Sequence, residues 1–71
     1  MEEVDKKRFV EIMAYFALNF AEREISEKLV KSYFNDLLKY PIDQIESAAR
    51  NYVAKGKKFP LVSELISIIE A

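Results

Sequence analysis

Residues 26–39, Ser26-Glu27-Lys28-Leu29-Val30-Lys31-Ser32-Tyr33-Phe34-Asn35-Asp36-Leu37-Leu38-Lys39, carry the pattern that decides the fold. Leu29, Val30, Tyr33, Phe34, Leu37 and Leu38 recur at the spacing of one helical face, while Lys28, Lys31, Ser32, Asn35 and Lys39 fill the other. Ser26 is a good N-cap, because its hydroxyl can accept from an amide of the first turn, and Glu27 suits the positive end of the helix dipole. This predicts an amphipathic helix over 27–39. Such a helix must find neighbours to cover its apolar stripe.

The flanking sequence supplies them. Upstream, Phe9, Ile12, Met13, Phe16 and Phe20 repeat at i, i+3, i+4, i+7 spacing and predict a helix over about 5–21, with Asp5 as its cap. Downstream, Pro41 suits the first position of a helix, where its missing N–H costs nothing. That third helix, over 41–55, places Ile45, Ala48, Ala49 and Tyr52 on an inner stripe and Asp43 and Glu46 near its start. Arg50 and Lys55 sit toward its end, where the dipole favours cations. Gly56 is expected to stop it in a left-handed conformation. Lys57, Lys58 and Phe59 form a connector, and Pro60 is expected to open a fourth helix over 60–70 with Leu61, Val62, Leu65, Ile66, Ile68 and Ile69. Its β-branched residues would also suit a strand, but no second strand candidate exists to pair with it. The expected fold is all-α, a compact four-helix domain, orthogonal or bundle-like, occupying 1–71 as one unit.

A chain of 71 residues buries only about 60% of the surface it exposes unfolded, so it needs a dense core. Five Phe and four Tyr supply it. There is no Cys, which excludes disulfides and thiolate metal sites, and no His, which removes the usual general base. The formal net charge of −1 lacks the basic excess of a tight phosphate binder. The acidic start, Met1-Glu2-Glu3-Val4-Asp5, differs from a secretory signal. No charge-free run approaches the ~20 residues of a membrane span. A cytoplasmic location, no membrane association and no cofactor are expected.

The first helix is apolar on two sides. Tyr15 and Leu18, with Ala14 beside them, point away from the Phe9–Phe16–Phe20 stripe. The small core favours a helix wrapped by the other three; the alternative is a side lent to a partner or to a second copy.

In order, Phe9 through Phe20 precedes a Ser-capped helix with Tyr33 and Leu37, then Tyr40-Pro41-Ile42-Asp43-Gln44-Ile45, Ala48-Ala49, Tyr52-Val53, Phe59-Pro60 and Glu64-Leu65. This order resembles the N-terminal folded domain of the phage replicative-helicase loader and inhibitor family, over roughly Phe9 to Ile69. Tyr33 stands where that family commonly has Trp. Its members usually continue into a flexible C-terminal segment associated with helicase engagement, and this sequence ends at Ala71. The resemblance implies a protein-binding module acting on a replicative helicase or helicase loader during DNA replication, in a phage or mobile element.

Among charged features, Arg50, Lys55, Lys57 and Lys58 gather around the third helix's end. They would dock an acidic protein surface or, as the alternative function, contact DNA phosphates. Local dipole complementation also accounts for them. Lys6, Lys7 and Arg8 have acidic neighbours and read as a solvated helix start, as do Glu22, Glu24 and Glu27 at the second helix. Three carboxylates alone lack the fixed geometry Mg²⁺ demands. No phosphate loop, nucleophile–base pair or paired acid–base set is present, so an enzyme is not expected. The candidate partner-binding residues are Tyr15, Leu18, Arg50, Lys55, Lys57 and Lys58.

Overall fold

The structure, a computed structural model, describes residues 1–21 and 24–71. A short 3₁₀ turn, Glu3–Asp5, leads into α1 (Lys6–Asn19), followed by α2 (Glu27–Asp36), α3 (Ile42–Lys55) and α4 (Val62–Ile69). No strand occurs among the described residues. The predicted all-α four-helix domain is what forms, with each helix one to three residues shorter at one or both ends. The acidic residue Glu22, named above with Glu24 and Glu27, lies outside the described residues.

Each boundary has a local cause. Asp5 does not cap α1 with its side chain. Its carboxylate instead accepts from the Glu2 amide at 2.9 Å, closing the 3₁₀ turn. At the other end, Asn19 Nδ2 donates to the Tyr15 carbonyl at 2.9 Å, satisfying an acceptor of the last turn, and α1 stops there rather than at Ala21. Ser26 caps α2 as expected: its Oγ accepts from the Leu29 amide at 3.0 Å. α2 ends at Asp36, not Lys39, because Pro41 disfavours helical geometry at Tyr40. Residues 37–40 turn tightly instead, with Leu38 donating to Asn35 and Tyr40 to Leu37. Leu38, assigned to the inner stripe by periodicity, is consequently exposed.

Both prolines sit earlier than expected. Pro41, at φ −64° and ψ 146°, is the residue before α3 rather than its first. Pro60 lies two residues ahead of α4, which starts at Val62; Leu61 is its extended entry, and Glu64 Oε1 accepts from the Leu61 amide at 2.9 Å. Pro60 is fully buried, and its carbonyl accepts from the Tyr33 hydroxyl at 2.8 Å. Gly56 is not left-handed. Its φ of −76° and ψ of 158° suit any residue. Glycine is needed there because a β-carbon would lie 2.5 Å from Cε2 of the Tyr52 ring.

The core is aromatic. Phe9 meets Phe34 edge-on at 5.5 Å between centroids, Phe59 is wedged between Phe16 (5.7 Å) and Tyr33 (6.2 Å), and Phe20 meets Tyr52 at 5.8 Å. Each such pair contributes about 0.5–1.5 kcal/mol beyond its burial. Met13, Leu37, Ile45 and Leu65 fill the remaining interior, and among the described residues no buried side-chain polar atom lacks a partner. A radius of gyration of 11.0 Å matches the ~11 Å expected of a domain this long.

α1 packs on α2, on α3 and on the 3₁₀ turn, while α3 also carries α4. The side of α1 that carries Val10, Tyr15 and Leu18 is left exposed by the other helices. This corrects the expectation of a fully enclosed first helix.

Candidate functional site

The buried stripe of α1, Phe9, Ile12, Met13 and Phe16, fixes the rotation of the helix and so decides what faces outward. On the opposite side stand Val10, Ala14 and Leu18, one turn apart, all exposed. Leu18 is 85% exposed, which for a large aliphatic residue on a helix leaves almost no intramolecular contact. Val10 escaped the sequence reading. Its four-residue spacing from Ala14 and eight from Leu18 was the signal.

Beside this ridge, α1 and α3 leave a crevice of about 200 Å³. Ile12 and Ala49 line its base, Tyr15 forms one wall and Arg50 the other. Its closed end is an ion-pair cluster: Arg8 Nη2 donates to Asp43 Oδ1 at 3.1 Å and lies 3.4 Å from Glu46 Oε2. The bond to Asp43 raises the Arg8 pKa above its ordinary value, opposed by desolvation and aided by Glu46. The cluster holds the first turn of α1 against that of α3 and is half in solvent, so its energetic weight is small. Tyr15 is 37% exposed, with its ring tilted against that of Phe16. One ring edge is anchored and one presented.

Tyr15 and Arg50 thus meet at one crevice, and Leu18 stands about one turn along α1 from Tyr15. Lys55, Lys57 and Lys58 do not join them. They line a second, larger groove of about 590 Å³ between the end of α3 and α4. The five residues separating Arg50 from Lys55 rotate about 140° around the helix axis, which sends the two cations to different sides. The basic set therefore divides into one arginine on the α1 face and three lysines on the α4 face. None of the four makes an ion pair among the described residues. By contrast Lys6 pairs with Glu3 at 3.5 Å and Arg8 with α3, as a locally neutralised helix start should.

The remaining tyrosines are structural. Tyr33 and Tyr52 are buried with their hydroxyls donating to the Pro60 and Lys58 carbonyls. Tyr40 is buried at the α2–α3 junction and its hydroxyl donates to Glu70 Oε2. That bond, with some help from burial, raises the Tyr40 pKa. Among the described residues, no group of three or more Asp or Glu side chains is placed to hold a metal ion. Likewise, no helix among them is long and apolar enough to cross a membrane. No protein-family model, curated protein or solved structure matches this chain.

Proposed function

We propose that this chain is a non-enzymatic protein-binding module of DNA replication. It would act on a replicative helicase or helicase loader, as the phage loaders and inhibitors it resembles do. The observation that carries the proposal is Leu18, 85% exposed on a ridge with Val10 and Ala14, beside the crevice walled by Tyr15 and Arg50. A single exposed Leu is unremarkable; an aliphatic ridge next to a half-exposed ring and an arginine with no ion pair among the described residues has the composition of an interface anchor. The resemblance over Phe9 to Ile69 supplies the partner class.

The mechanism is stoichiometric occupancy. The partner covers the ridge, Tyr15 fills a pocket on it, and Arg50 meets a carboxylate or carbonyl in register. Full burial of Leu18 alone is worth about 1.5–3 kcal/mol. Light scattering of the chain mixed with a hexameric replicative helicase, and separately with its loader, tests this. A complex of increased mass at tens of micromolar, roughly a 6–7 kcal/mol interaction, is expected. No complex with either partner refutes the assignment.

A further inference from the structure

The groove between α3 and α4 is distinct from the α1 face and has a construction of its own. Lys55, Lys57 and Lys58 rim it, while Ile68, the edge of Tyr52 and the bare backbone of Gly56 give it an apolar floor. Lys55 ends α3, and Lys57 and Lys58 stand on a pinned loop rather than a loose one. The Gly56 amide donates to the Tyr52 carbonyl at 2.6 Å, and the Tyr52 hydroxyl donates to the Lys58 carbonyl at 2.9 Å. The same ring abuts Phe20. The backbone of residues 56–58 is thereby tied to the core on both sides of the turn, so a partner meets a preorganised charge array.

We infer that this groove is a second docking site, taking an acidic amphipathic segment of a partner protein. An apolar side chain of the segment lies over Gly56 and Ile68, and its carboxylates pair with Lys55, Lys57 and Lys58. Charge complementarity selects the occupant. In a chain of net charge −1, three cations within four residues have no acidic partner among the described residues. The floor selects protein over nucleic acid. Strand-binding grooves offer ring faces on which bases stack, whereas Tyr52 is buried and tied through its hydroxyl.

The inference does not depend on a helicase being the partner, so its test uses none. The full chain, ¹⁵N-labelled, is titrated with a helical peptide of roughly 14 residues, about 21 Å long, with Leu on one face and Glu on the other. Parallel titrations use poly-glutamate and an oligo-dT strand. Amide shifts at Gly56, Lys57, Lys58, Ser67 and Ile68 with the peptide are expected. Affinity should fall with salt and drop at least about tenfold in Lys57→Glu/Lys58→Glu, whose exposed substitutions leave the core untouched. Tighter binding of oligo-dT, equal binding of poly-glutamate, or no shifts at these amides overturns the inference. Peptide shifts confined to Tyr15 and Leu18 also overturn it, while leaving the α1 face as proposed.

Discussion

Replacing Gly56 with Ala places two well-known effects in opposition. At φ −76° and ψ 158° alanine is conformationally at ease, so the backbone alone favours the substitution by about 0.4–1 kcal/mol through the unfolded state. Sterically it is not at ease. The new β-carbon would lie 2.5 Å from Tyr52 Cε2, 2.8 Å from Cζ and 2.9 Å from the Tyr52 carbonyl oxygen. The ring cannot yield freely, because Phe20 meets its face at 5.8 Å and its hydroxyl holds Lys58. Overpacking of this kind costs about 1–3 kcal/mol. Displacing the ring would forfeit a hydrogen bond worth about 0.5–1.5 kcal/mol net. The steric term wins, leaving Gly56→Ala destabilised by about 1–3 kcal/mol. In a domain this size each kcal/mol moves the Tm by about 4–8 °C, so thermal unfolding followed by circular dichroism should show a drop of roughly 4–24 °C. In a Tyr52→Ala background the ring clash is gone and only the approach to the residue 52 carbonyl oxygen remains, so the same substitution should cost less than it does in the native chain. An unchanged or raised Tm for Gly56→Ala in the otherwise native chain would falsify the steric account.

Tyr33→Phe removes the donor to the buried Pro60 carbonyl, and urea unfolding should show a loss of about 1–3 kcal/mol with an unchanged m-value. Tyr40 is bonded to Glu70, and its pKa is raised in the folded state. The resulting stability is fully present below the ordinary tyrosine pKa of about 10 and is lost as pH rises through the folded value. Denaturation midpoints should therefore fall steeply above about pH 10, and less so in Tyr40→Phe; parallel curves for the two chains count against the Glu70 bond. Leu18→Gln should change stability by less than about 0.5 kcal/mol, because the side chain is exposed and helix propensities are close. Phe16→Ala, by contrast, should cost about 3–5 kcal/mol in the same urea series.

Helix identity was legible because periodicity reports which residues of one element share a face. Phe9, Ile12, Met13 and Phe16 are buried together, as are Val30, Tyr33 and Phe34. What escaped depends on contacts that periodicity does not report. Gly56 is explained by the ring of Tyr52 and not by its own backbone angles. Pro60 is held out of α4 with its carbonyl bonded to Tyr33, a contact across 27 residues. Leu38 turned outward because Pro41 shortened α2, a local effect the periodicity count overlooked. Whether the second apolar side of α1 is covered is a property of how the other helices pack, and no residue of α1 encodes it. The division of the basic set could have been foreseen, since a five-residue step on a helix changes face.

The docking role proposed for the outer face of α1 stands or falls on calorimetric titration of a replicative helicase or its loader with the native chain and with Leu18→Gln. Losing a buried Leu anchor worth about 1.5–3 kcal/mol should weaken the Kd by roughly 10- to 150-fold while the fold stays intact. Equal affinity for the two chains would contradict it.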